Sequence, residues 1–200
     1  MPNISDLLTT NTANIATNTA AVAEAGGTYE LITRTNITSN AANVVFSNIS
    51  ASSGVLKVII NNLKFTSDCN LNLNFKDSSG NDLTGSNGYV QANHWILLNS
   101  GHSADRQQFT RVVLNQNNQI NDDGYTKAMY HAIIHFFRWG STYTALFGTE
   151  FYNHDTGVSN FSKQDFGAYY TYNSTVPAGI QFEPSGGSVS SGTISLYKLV

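Results

Sequence analysis

The chain has 200 residues, of which only 12% are charged, with 10 Lys and Arg against 13 Asp and Glu for a net charge of −3. Such a length suits one main core with an appendage, and the weak acidity leaves no basic footprint for nucleic acid and no polybasic patch for anionic lipid. Cys69 is the single cysteine, so no intrachain disulfide can form.

Asn, Ser and Thr make up about a third of the residues, so solvation comes from uncharged polar groups. The start, "MPNISDLLTT", has neither the basic opening nor the apolar stretch of a signal peptide, and no apolar run approaches the roughly 18 residues of a membrane span. The expectation is a soluble protein made in the cytosol.

The first predicted unit covers residues 1–26. Met1, Leu8, Ile15 and Val22 recur every seven residues; with these at heptad position a, position d falls on Ile4, Asn11, Asn18 and Ala25. Thr, Ser and Asn are poor helix formers, and isolated helices of this length are marginal, so helicity here implies partners. At about 1.5 Å rise per residue the helix is about 35 Å long, a stub and not a shaft. A buried polar residue in such a seam costs stability and is retained where it fixes register and strand number. In a parallel three-stranded coil, three amides at one level can turn their N–H donors toward a single anion. The repeated apolar-x-x-Asn-Thr pattern resembles the asparagine-at-d stalks of trimeric autotransporter adhesins and phage fibres. That resemblance implies a homotrimer with chloride on its axis. It makes Ile4, Leu8, Asn11, Ile15, Asn18 and Val22 the trimer seam, and Asn11 and Asn18 the anion ligands. The alternative is a low-complexity tail whose spacing is accidental.

Gly26 and Gly27 close that unit, since glycine just past a helix supplies the left-handed conformation that ends it. From there, residues 27–200 read as one β-sandwich head. Period-two alternation and β-branched or aromatic residues predict about eleven strands: "TYELITRT", "ANVVFSNI", "VLKVIINNLKF", "CNLNLNFKD", "YVQANHWILL", "FTRVVLNQ", "AMYHAIIHFFRW", "YTALFGTEFY", "FGAYYTYN", "AGIQFEP" and "GTISLYKLV". Turn clusters separate them, among them "SASSG", "DSSGNDLTGSNG", "NDDG", "NHDTG" and "PSGGSVSSG". "HAIIHFFRW" is the most continuously apolar and is placed centrally, within the sandwich or against a neighbouring subunit. The fold class is mainly β: an antiparallel, jelly-roll-like sandwich preceded by a short α-helical trimeric coiled coil.

The C-terminal stretch "GIQFEPSGGSVSSGTISLYKLV" resembles the end of the small β-sandwich modules that close tail-fibre and other virion proteins of bacteriophages. Ile180, Phe182, Gly192, Thr193, Ile194, Leu196 and Tyr197 match, and Lys198 stands in place of the usual glycine. "GGTYELITRTNIT" matches the point where such modules begin. The resemblance implies a virion structural protein assembled in the host cytoplasm, either a tail fibre or fibre tip for host attachment or, alternatively, a trimeric capsid decoration protein.

Chemistry-bearing motifs are sparse. There is no nucleophile elbow, phosphate loop, dinucleotide fingerprint or zinc-ligand cysteine pair. His131 and His135 share one face of a predicted strand about 13 Å apart, too far for one metal, and no acidic residue stands in a HExxH relation to them. Glu150, His154 and Asp155 offer the carboxylate pair of a glycosidase, but "NHDTG" is also a good turn. The expectation is no catalytic residue, no metal and no cofactor beyond chloride, with a depolymerase as the remaining enzymatic alternative. Aromatic residues beside Asn and Ser suit sugar stacking. Tyr125, Tyr169, Tyr170 and Tyr172 are the candidate receptor contacts, while Trp95 reads as core.

Overall fold

β-Branched and aromatic residues alternating with Asn, Lys, Thr and Ser suit a pleated surface buried on one side. The computed structural model describes residues 28–83, 89–97, 101–115, 129–141, 143–153, 161–170 and 175–200, with backbone alone at 95–97, 101–103, 105–109, 153 and 161. The predicted seam, Ile4 to Val22 with Asn11 and Asn18, lies outside the described residues, as do Tyr125 and Tyr172.

Twelve strands are described: β1 (Tyr29–Ile37), β2 (Val44–Phe46), β3 (Gly54–Phe65), β4 (Leu71–Lys76), β5 (Tyr89–Leu97), β6 (Gly101–Phe109), β7 (Val112–Leu114), β8 (Tyr130–Trp139), β9 (Ala145–Asn153), β10 (Phe161–Tyr170), β11 (Gly179–Pro184) and β12 (Val189–Leu199). They form an eight-stranded sheet, β1-β12-β3-β8-β9-β10-β5-β6, and a four-stranded sheet, β2-β11-β4-β7. Every pairing between strands is antiparallel. Apart from the hairpins β5–β6 and β8–β9–β10, each connection carries the chain from one sheet to the other. The β-sandwich expected from the alternation is what forms.

Three expectations need correction. β6, "GHSADRQQF", is absent from the predicted set because a polar strand at a sheet edge shows no apolar alternation. β10 starts at Phe161, five residues before the predicted run, because its inward positions include Ser162 and Gln164, both buried. β12 starts at Val189, inside the cluster read as a turn, since the turn proper ends with Gly187 in a left-handed conformation at φ 64°.

The sheets meet over an aromatic centre. Phe75 of β4 lies 5.7 Å from Tyr89, 6.0 Å from Phe136, 5.7 Å from Trp139 and 5.6 Å from Tyr170, centroid to centroid. Fully burying a side chain of this size contributes about 1.5–3 kcal/mol. The Tyr89 hydroxyl accepts from the Phe75 amide and donates to the Leu83 carbonyl, both at 3.1 Å, so its polar end is satisfied inside the core. Gly148 of β9 leaves room for the ring of Phe166: a Cβ there would lie 2.6 Å from that ring and 2.8 Å from the Ile133 carbonyl oxygen. After β8, Gly140 sits at φ 84°, where a Cβ would fall 2.2 Å from the Ala51 carbonyl oxygen, so the turn approaches the short 3-10 segment Ala51–Ser53 as only glycine permits.

The described chain begins and ends at the same end of the sandwich, where the Val200 amide donates to the Thr28 carbonyl at 2.9 Å. Strand directions follow from the registers. Val189 of β12 pairs with Phe65, Leu63 of β3 faces Tyr130, Tyr130 faces Tyr152, and Phe161 faces Asn153. The strand ends flanking 98–100, 116–128 and 154–160 therefore lie at the end opposite Thr28 and Val200.

Candidate interaction surface

β8 is apolar on both faces. Ala132, Ile134 and Phe136 point inward and are buried, while the residues between them, Ile133, His135 and Phe137, point outward. Arg138, at φ 55°, breaks the alternation and turns Trp139 back into the core. β8 lies between β3 and β9, as the central placement of "HAIIHFFRW" anticipated, and the small sheet covers only its inner face. On β9, Phe147 and Phe151 also point outward. Ile133 is 45% exposed, Phe137 37%, Phe147 50% and Phe151 40%. Scattered exposed apolar residues are ordinary, whereas a contiguous set marks a contact surface.

Contiguity follows from the register, which places His135 opposite Phe147, Phe137 opposite Ala145 and Ile133 opposite Thr149. The rings of His135 and Phe147 stack at 5.1 Å and 10°, and those of Phe137 and Phe147 at 5.6 Å and 8°. Toward β1, the Tyr29 ring meets His135 edge-on at 6.1 Å, and its hydroxyl lies 3.3 Å from His135 Nδ1. The Lys57 ammonium sits 4.9 Å above the Tyr29 ring, a cation–π contact. Burial, and then the Lys57 charge, hold the His135 pKa below the ordinary histidine value, so at neutral pH this face carries a neutral imidazole. Leu31, 45% exposed and paired with Tyr197, extends the apolar surface to the sheet edge.

Beneath the other end of β9 the interior is polar. Glu150 is fully buried; the Asn115 amide donates to Oε1 at 2.7 Å, and the Tyr130 hydroxyl makes a short hydrogen bond to Oε2. Burial is the dominant influence, only partly offset by these two hydrogen bonds, and it pushes the Glu150 pKa up to about 8. The carboxyl is therefore neutral at pH 7, acting as a bracket between β8, β9 and the end of β7. Asn115 extends the bracket: its Oδ1 accepts from the Leu71 amide at 2.9 Å and its Nδ2 donates to the Cys69 carbonyl at 3.3 Å.

Alongside it, the Gln91 side chain of β5 acts as a strand. Its Oε1 accepts from the Val113 amide at 2.9 Å and its Nε2 donates to the Val113 carbonyl at 2.6 Å, on the outermost strand of the small sheet. Nε2 also donates to Asn93 Oδ1, which accepts from Gln164 in turn, so buried amides stitch the two sheets along this edge. The opposite edge stays open: between β1 and β2 runs a groove of about 530 Å³ lined by Leu31, Ile32, Val45, Phe46 and Leu196, with Glu30 ion-paired to Lys198 at 2.9 Å.

The residues singled out from the sequence are dispersed. Tyr169 is 42% exposed on the outer face, but Tyr170 is fully buried against Phe75 and Tyr89 and cannot meet a receptor, which corrects its assignment. Tyr169 also lies at the end that carries Thr28 and Val200, whereas the strand ends flanking 116–128 lie at the other; Tyr125 and Tyr172 lie outside the described residues. His131 and His135 do share the outer face. His131 Nδ1 accepts from the Asn62 amide at 3.3 Å, and no group of three or more His, Cys, Asp or Glu among the described residues is placed to hold a metal. Glu150 faces the interior, while His154 and Asp155 lie outside the described residues. Sequence reasoning missed Gln91 and Asn93; the one signal for them was their shared parity with Tyr89 in β5. No protein-family model matches this chain, and no curated protein matches it in sequence.

Proposed function

We propose that the chain is a homotrimeric bacteriophage virion protein, a tail fibre or fibre tip, in which a short N-terminal coiled coil carries three sandwich heads to a host-surface glycan or protein. On this reading the seam residues Leu8, Ile15 and Val22 draw three chains together, and Asn11 and Asn18 turn their amides toward axial chloride. The heads are jelly rolls. β1-β12-β3-β8 opposed to β2-β11-β4-β7 is the order of two interlocked Greek keys, and the hairpins β5–β6 and β9–β10 pair to widen one sheet.

The observation that carries the reading is that the head is single-ended. Thr28 and Val200 are hydrogen-bonded at one end, so a stalk joins there. The strand ends that flank 98–100, 116–128 and 154–160 lie at the far end, where a fibre tip meets its target. Three weak contacts made together raise avidity without any new chemistry.

The test is adsorption. Purified full-length protein added to host cells before the phage should block adsorption, and antibody to the head should label tails on intact particles. Unchanged adsorption, with label on the capsid, would move the protein to the shell as a decoration trimer and overturn the fibre reading.

A further inference from the structure

We infer, building on the trimeric reading above, that the outer face of β8 and β9, continued through Lys57 to Tyr29, is where one copy of this chain packs against the next. Ile133, Phe137, Phe147 and Phe151 form an exposed apolar surface in the middle of an eight-stranded sheet, and no described element covers it.

Chain geometry favours a second copy as the occupant. The predicted seam ends at Val22, and Tyr29, whose ring touches His135, follows seven residues later. At no more than about 3.6 Å per residue, Tyr29 of each copy lies within about 25 Å of that seam. Three copies joined there present these faces to one another at high effective concentration. The chemistry agrees. The centre of the face combines aliphatic and stacked aromatic side chains with the Lys57 ammonium, which already lies on a tyrosine ring; on the β10 side Asp165 is already engaged, accepting from Thr149 at 2.6 Å and ion-paired to Lys163 beside Phe151. A sugar site needs amides or acids to read hydroxyls, and an anionic lipid surface needs several cations; a protein interface core needs neither. Residues 1–27 folding back over their own head are the competing occupant, but Met1, Ile4, Leu8, Ile15 and Val22 already fall in one heptad frame, so a seam would use them.

The experiment uses the full-length chain. Mass photometry over a dilution series should give three times the 21.7 kDa of one chain, with dissociation on dilution. Phe147→Asp and, separately, Ile133→Asp should raise the dissociation concentration by at least about 30-fold while near-ultraviolet circular dichroism stays native. Hydroxyl-radical labelling of Phe137 and Phe147 should be suppressed in the trimer and restored in the diluted monomer. A wild-type chain that is monomeric at every concentration would overturn both this inference and the trimeric reading. A stable trimer that both variants leave intact, with Phe137 and Phe147 as reactive as in the monomer, would overturn the interface alone. Protection that persists in the monomer would assign the cover to residues 1–27 of the same chain, again overturning the inference.

Discussion

Phe136 and Phe137 are neighbours on one strand with the same side chain, and they live in different worlds. Phe136 is fully buried against Phe75 and Trp139, while Phe137 stands on the outer face with Phe147 stacked beside it and 37% of its surface in water. A half-buried strand normally spends its apolar residues on the covered side and leaves polar ones outside, and β3 keeps only part of that rule, with Leu56 and Val58 inward and Lys57 outward between Val55 and Ile59. β8 departs from that pattern at Ile133 and Phe137. The exposed part of such a residue gains nothing from the isolated fold, and a contiguous set of them marks a contact surface.

The contrast can be broken by mutation, and the inner side should give the largest effect. Phe136→Ala should cost about 3–5 kcal/mol in denaturant unfolding, whereas Phe137→Ala, measured at a concentration where the chain is monomeric, should stay within about 0.5 kcal/mol. Equal losses would mean that the outer face is already covered in the monomer.

Glu150 sharpens the comparison by pH. Its folded pKa, raised to about 8, lies above its ordinary value of 4.5, so burying the neutral acid contributes stability that is fully present below pH 4.5 and is lost as pH climbs through 8. Between pH 5 and 8 the wild type should lose on the order of 3 kcal/mol, and Glu150→Gln should flatten that slope. A slope unaltered in the variant would place the titrating group elsewhere.

Gln91→Ala should cost about 1–3 kcal/mol, because both backbone groups of Val113 lose their partner; Gln91→Glu, which keeps the size but lacks the donor, should fare no better at pH 8. The smallest effect belongs to His135. Its folded pKa is depressed, so its contribution is present above the ordinary histidine value and is lost as pH falls through the lowered one. Acidification to pH 5 should lower the melting temperature slightly more in the wild type than in His135→Asn.

Much of the sandwich was legible because alternation reports a face buried on one side. Leu71, Leu73 and Phe75 announced β4 in this way, although Asn72 and Asn74 between them are buried as well, and "HAIIHFFRW" announced a strand apolar along most of its length. What was illegible depends on pairing across the chain. β6 is a strand because β5 offers it hydrogen bonds, not because "GHSADRQQF" has any pattern of its own. The Glu150 bracket joins residues 20 and 35 positions apart, a relation set by topology that leaves no local trace. One failure was avoidable. Adjacent tyrosines in a strand face opposite ways, so Tyr169 and Tyr170 were never both available to a ligand. For the coil, the sequence remains the source: its seven-residue spacing lies outside the described residues.

The Gln91 amide has a consequence for solubility. An unpaired edge strand invites the edge of another molecule, and growth by that route has no natural end. By occupying the Val113 N–H and C=O with a side chain, β5 removes that docking point from β7 at its central residue without adding a charge or a proline. Joining through a sheet face around an axis closes on itself after a fixed number of copies. On the trimeric reading proposed above, the glutamine keeps β7 out of open-ended pairing while the face of β8 and β9 makes the closed contact.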